Sequence, residues 1–319
     1  MRVNSIALGI LLLLFAVTVI GVRYFAARKQ GQFRAWGWAG LALIVLAEGL
    51  LFLRLSWVRT FFTPLVWTGF LLLVDAMVSR VRGASRLGSS PRGFFTLAFW
   101  SVPLWLIFEA YNLRLENWTY VGVPVNPLVG GLGSACAFAT IWPAIYETAD
   151  LVEALGLVPS ESKRRIVLSR SSHTSIFLLG LLMVSVPLLV PARFGQYLFG
   201  AVWVGFAFLL DPLNHRWNGR SLLRDWETGQ TATFYSFMVS GLICGVLWEF
   251  WNYWAGAKWL YIFPFGQGAK VFEMPLPGYF GFPPFALECF AMYEFLVTLG
   301  KRLSGLRRSP RWQAAGSEL

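Results

Sequence analysis

Apolar residues run through the chain in nine continuous blocks, at about 5–22, 36–53, 61–78, 94–111, 127–147, 173–191, 196–212, 231–251 and 279–300. The stretches between them are short and hold nearly all of the charge. Each block approaches the length an α-helix needs to cross roughly 30 Å of hydrocarbon, about 20 residues. Helices and closed barrels are the two structures that satisfy every backbone polar group in lipid, and unbroken apolar blocks select helices over the ten-residue alternation of a barrel. The pattern predicts an all-α, polytopic transmembrane helix bundle of about nine spans.

Composition supports that class, because 56% of residues are apolar and 13% are charged, against roughly 45–50% and about 25% in soluble domains. Charge also predicts orientation. Basic residues gather in every second connection: Arg23, Arg28, Lys29 and Arg34 after the first span, Arg80, Arg82, Arg86 and Arg92 after the third, and Lys163, Arg164, Arg165 and Arg170 after the fifth. The series continues with Arg216, Arg220 and Arg224 after the seventh and Lys301, Arg302, Arg307, Arg308 and Arg311 after the ninth. The positive-inside bias puts these in the cytoplasm with the carboxyl terminus, and the amino terminus outside. Topology and anionic lipid headgroups account for the net charge of +11, so membrane lipid is the expected partner and nucleic acid is not. Four basic residues and no A-x-A-like site follow the first span, which reads as a retained anchor.

Cys136, Cys244 and Cys289 fall inside spans without a C-x-x-C motif and read as small packing residues. His173 and His215, the two histidines of the chain, lie at span edges. Read as isolated residues they give no metal site.

A direct repeat organises the rest. V-W-T-G-F-L-L-L-V-D ends at Asp75 and V-W-V-G-F-A-F-L-L-D ends at Asp211. F-E-A-Y-N, with Glu109 and Asn112, answers W-E-F-W-N, with Glu249 and Asn252. Trp118-Thr-Tyr120 answers Trp259-Leu-Tyr261, each followed by a proline, and both units finish on Tyr-Glu at 146–147 and 293–294. The chain therefore divides into a first span (1–35), repeat one (36–158), repeat two (171–300) and a basic tail (301–319), all within one membrane domain. Four crossings per unit is an even number, so the repeats should be parallel, related by a pseudo-twofold axis along the membrane normal, with matching residues facing a central seam.

Acids inside spans are expensive and are functional candidates by default. Glu109 and Glu249 each have an asparagine one turn later on the same helix face. They serve either as helix ties or as parts of one polar pocket. Glu288 follows Pro283 and Pro284, about ten residues into the ninth span, where Ile141 stands in repeat one. Glu48 is a similar unrepeated case. Asp75 and Asp211, followed by Arg80 and Arg216, suit a salt bridge at the headgroup level or a repeated ligand site. The repeated aromatics beside the acids suit either an interfacial belt or a wall for a polyene or isoprenoid chain. Gly241 and Gly245 permit close helix packing.

In the second unit Glu249, Trp259, Tyr261, the stretch F-E-M-P-L-P-G-Y-F-G-F-P-P and Glu288 occur in an order that resembles the small membrane-bound lycopene cyclases, over residues 245–290. The resemblance implies repeated helical units and acid-initiated ring closure, with Glu249 or Glu288, and Glu109 in the other unit, as the acid. It also implies aromatic side chains that shield a cation, and an isoprenoid substrate for which Asn112, Asn252, Trp118, Tyr120, Trp259 and Tyr261 are the candidate binding residues, with Asp75 and Asp211 added because they recur in the repeat. On that reading Glu249, Asn252, Trp259 and Glu288 line one enclosed space, with Glu109 across the axis. Leu287 stands where the family has a second acid. A small-solute transporter or channel, and an accessory subunit of a membrane complex, are the alternatives. No phosphate loop, nucleophile elbow, zinc motif or dinucleotide fingerprint is present, so the sequence names no cofactor.

Overall fold

The computed structural model describes residues 2–161 and 165–305, with the side chains of 2–5 left out. Lys163, Arg164, Arg307, Arg308, Arg311 and the rest of the expected tail beyond Gly305 lie outside the described residues. Helices dominate: α1 (Arg2–Ala26), α2 (Ala35–Phe52), α3 (Ser56–Arg82), α4 (Arg86–Ser89), α5 (Pro91–Leu115), α6 (Pro127–Phe138) and α7 (Ile141–Ala154). They continue as α8 (Arg170–Leu189), α9 (Ala192–Gly195), α10 (Phe199–Arg216), α11 (Leu222–Thr228), α12 (Ala232–Trp254) and α13 (Phe282–Ser304). Four short strands complete the chain: β1 (Trp118–Val121), β2 (Lys258–Tyr261), β3 (Lys270–Val271) and β4 (Met274–Pro275).

Among the described residues eight segments are long and apolar enough to cross a membrane: 6–26, 35–52, 56–82, 91–115, 127–154, 170–189, 232–254 and 276–304. The chain is an integral membrane protein built as a helix bundle. The remaining expected span, 196–212, is the helix α10. Its last turns carry Asp211, Asn214, His215 and Arg216, which dilute its apolar character, and it packs between α8 and α13.

Two spans differ in detail from the expected runs. The stretch 127–147 is two helices, α6 and α7, parted at Ala139 and Thr140. Pro143 is the cause, since its ring excludes the carbonyl four residues back, that of Ala139. The Ser101 hydroxyl of α5 holds the break by bonding the Phe138 carbonyl and accepting the Trp142 N–H. In the ninth span Pro283 and Pro284 occupy the first turn of α13, where a missing N–H costs nothing. They free no carbonyls in mid-helix, and Glu288 lies in the second turn of α13, near the middle of the 276–304 segment.

Helix α2 packs along α3 as α8 packs along α10. Both crossings use glycine for close approach: a Cβ on Gly40 would lie 2.5 Å from the Gly69 carbonyl oxygen, and one on Gly180 would lie 2.3 Å from the Leu209 nitrogen. Gly241 and Gly245 have the packing role expected of them, with Phe282 of α13 against both. Helices α3, α7, α12 and α13 supply much of the interior, where Trp67, Trp142, Tyr146 and Phe290 are fully buried. Cys244 and Cys289 pack there too, whereas Cys136 is exposed. Helix α1 stays peripheral, with Phe15 and Phe25 on the outside of the bundle.

Described residues of the basic connections converge at one end. Arg23 bonds the Leu155 carbonyl, Arg82 pairs with Glu153, Arg86 with Asp150, and Arg220 with Glu294. At the opposite end β1 and β2 pair antiparallel, Trp118 against Tyr261 and Tyr120 against Trp259. Exchanging each W-x-Y segment for the other leaves that register unchanged.

Candidate functional site

The two Glu-Asn pairs are placed by the same bonds. In the first, the Asn112 amide donates to the Trp118 carbonyl at 2.8 Å and accepts the Asn117 and Trp118 N–H groups, which pulls the chain leaving α5 back into β1. In the second, the Asn252 amide donates to the Trp259 carbonyl at 2.9 Å and accepts the Trp259 N–H at 3.0 Å, placing β2 behind α12. Both asparagines have these amide groups engaged by their own strand, so their role is to position the W-x-Y segments.

The acids then bind what the asparagines have placed. Glu109 Oε1 accepts the Tyr120 hydroxyl at 2.5 Å and the Trp105 indole N–H at 2.7 Å. Glu249 Oε1 accepts the Tyr261 hydroxyl at 2.8 Å and the Trp259 indole N–H at 3.4 Å. Glu249 is fully buried and its second oxygen has no partner among the described residues. Burial first, and the neighbouring Glu249 carboxylate second, raise the Tyr261 phenol well above its usual range, so it donates as a neutral hydroxyl.

In front of these networks lies a chamber of about 1090 Å³ of non-atom space, part of it open to the outside of the bundle. Trp67, Trp105, Trp118, Trp203, Trp248 and Trp259 wall it, with Tyr120, Tyr261, Phe282 and Phe285. Both repeats contribute, and matching residues meet there: Trp67 with Trp203, Trp118 with Trp259, Tyr120 with Tyr261. Helix α3 bends at Phe61, whose backbone is not helical, ahead of Pro64, and both line the chamber. Lys258 is the one charged group among the described lining residues, and it is paired with Glu273 at 2.5 Å.

Glu288 requires a correction, because it does not share this chamber. Phe285, one turn earlier, lines it, while Glu288 Oε1 accepts the Phe206 N–H of α10 at 2.7 Å. Glu249 and Asn252 do not line it either; they stand behind Trp259 and Tyr261, which do. Glu48, the remaining mid-span acid, accepts the Trp251 indole N–H at 3.0 Å and so ties α2 to α12.

Asp75 and Asp211 lie at the basic end, away from the chamber, and do not pair with Arg80 and Arg216. Asp75 accepts the Ser85 hydroxyl, the Leu87 N–H and the Trp36 indole N–H. Asp211 accepts the Ser221 hydroxyl and the Leu222 and Leu223 N–H groups. Each ties its long helix to the short helix after it, α4 or α11. The signal was in the sequence as a serine ten residues after each aspartate.

The histidines are not isolated. His173 in the first turn of α8 and His215 in the last turn of α10 bring their rings to 4.4 Å between centroids, with Glu227 of α11 against both. Forty-two positions separate them in sequence, and packing of α8 on α10 brings them together. Searches against protein-family models, curated proteins and solved structures find no match to this chain.

Proposed function

We propose that this membrane protein takes an elongated, apolar, isoprenoid-like molecule into the aromatic chamber and isomerises or cyclises it by acid catalysis. One observation carries the reading: tyrosines from both W-x-Y segments line the chamber, and each hydroxyl is bonded to a carboxyl directly behind the wall. For turnover the Glu249–Tyr261 bond reverses: the protonated Glu249 carboxyl donates to the Tyr261 oxygen as Tyr261 passes its own proton to an alkene carbon. Indole faces stabilise the cation that results. Loss of a proton from a neighbouring carbon back to the same pair forms the new double bond, so the product is an isomer and no oxidant is consumed. The order of motifs shared with the small membrane-bound lycopene cyclases supports the same reaction class. The apolar lining favours this reading over passage of a small polar solute.

The test is mass spectrometry of the organic extract of the purified full-length protein, with Glu249→Gln beside it. A stoichiometric isoprenoid-type molecule is expected in both, converted in the wild type and unconverted in the folded variant. An unchanged product profile in Glu249→Gln would end the enzyme reading and leave a binding protein. Bulk phospholipid alone would remove the chamber's proposed ligand as well.

A further inference from the structure

We propose that His173, His215 and Glu227 bind one divalent transition-metal ion, of the zinc class, at the basic end of the second repeat. Among the described residues they are the one trio of His, Cys, Asp or Glu whose donor atoms converge within 4.8 Å. His173 Nε2 lies 3.5 Å from Glu227 Oε1, and His215 Nε2 lies 2.8 Å from Glu227 Oε2. Both imidazoles therefore present the same ring nitrogen to opposite oxygens of one carboxylate. His173 Nε2 is buried without a hydrogen-bond partner, a costly state for a polar atom that a metal relieves.

The spacing suits a tetrahedral ion. Bonds of about 2.0–2.1 Å to imidazole nitrogen and carboxylate oxygen put neighbouring donors roughly 3.4 Å apart. The two separations run to opposite oxygens of Glu227, and with one donor atom from each residue the three lie within 4.8 Å of one another, so side-chain adjustments of about an ångström close them around an ion through a single carboxylate oxygen. Two imidazoles and a carboxylate suit zinc and its neighbours over calcium or magnesium, which take oxygen ligands. Three protein ligands leave a fourth position for water.

The site clamps three elements, α8, α10 and α11. The connection between the repeats runs beside it: the Ile166 N–H bonds the Trp226 carbonyl, one residue from Glu227, and Glu161 bridges to Gln230. Arg224 is turned away, its guanidinium engaged with the His215 and Gly219 carbonyls and Asn218. Repeat one has no counterpart, because Ser79 stands four residues after Asp75 where His215 stands four after Asp211. His215 is twelve residues along α10 from Trp203 of the chamber, about 18 Å at the rise of an α-helix, so this site is separate from the proposed reaction chamber.

The experiment uses the full chain without an affinity tag, stripped with EDTA in detergent and titrated with Zn²⁺, with bound metal counted by mass spectrometry. One ion per chain is expected, with Co²⁺ taking the same place and giving the absorption of a tetrahedral site. His173→Gln and His215→Gln keep polar side chains at both places and are checked for folding by size exclusion. Each should weaken binding by more than the roughly 10–100-fold that loss of an outer-shell partner costs. Folded wild type that takes up no zinc, or a double variant that still binds one ion per chain, would overturn the proposal.

Discussion

The two acid networks beside the chamber have the same bonds and different surroundings. Glu109 and Asn112 are half-buried and Tyr120 is 37% exposed, whereas Glu249 and Asn252 are fully buried. The difference arises in the stretch of chain just after each W-x-Y segment. After Tyr120 five residues lead from the strand to α6; after Tyr261 a segment with β3, β4 and a 3₁₀ turn at Leu276–Gly281 comes first. That segment packs on α12 by setting Phe272 against Phe250 and Tyr253. Duplicated hydrogen bonds thus build two similar strands, and a segment present in one half alone seals one acid. On the proposed function, chemistry that needs a dry carboxyl belongs to the second half, and the first serves as wall and scaffold.

Seven substitutions, in four sets, probe that contrast. The largest effect is expected from Gly245→Leu, since a Cβ there would lie 2.2 Å from the Phe282 ring. Overpacking of this kind costs about 1–3 kcal/mol or more, and the folded protein should fail to accumulate in membranes. Next is Asn252→Ala, which takes the side-chain partner from the Trp259 N–H and carbonyl in a sealed site, at about 1–3 kcal/mol. Asn112→Ala in the half-buried counterpart should lower the melting temperature in detergent by less. Equal losses would mean that sealing contributes little.

Asp75→Asn and Asp211→Asn should each cost about 1 kcal/mol, by replacing one acceptor oxygen with a donor amide. Similar melting shifts would show that the halves are equivalent at the basic end, and a large difference would break that equivalence. The smallest expected change in stability is from Tyr261→Phe, which removes the bond to Glu249 and the one accepted from the Trp259 indole N–H. That N–H keeps Glu249 as its other acceptor, so the net loss is near the average for one such bond in a membrane protein, about 0.6 kcal/mol. If turnover passes through Tyr261, activity falls far more than stability does, and Tyr120→Phe leaves activity largely intact.

Much of this was legible in the chain. Apolar runs marked the helices because lipid tolerates little else, and Asn252 and Trp259 were recognisable as a unit because both repeats place a W-x-Y segment shortly after a Glu-x-x-Asn, six residues on from Asn112 and seven from Asn252. Three features were not. The break before Pro143 is hidden in an apolar run, since hydropathy does not register a missing N–H. Glu288 was grouped with Glu249 by sequence order, but the face of α13 that carries it is set by packing on α10. His173 and His215 looked solitary because their proximity depends on a crossing of two helices at glycine, and no sequence spacing encodes which turns of the two helices meet.

The pairing of β1 with β2 has a consequence for synthesis. About 140 residues separate the two strands in the sequence, and translation proceeds at about 5–20 residues per second. The first strand therefore waits roughly ten seconds at the membrane surface before its partner leaves the ribosome, with its outer N–H and C=O groups unmatched. Such an edge is a template for any other extended chain. Only four residues long, β1 offers an intruder little to hold, and the Asn112 tie fixes its backbone from behind before β2 exists. The repeat that supplies a chamber also sets a schedule, in which the first half must be finished as a surface before it is needed as an interface.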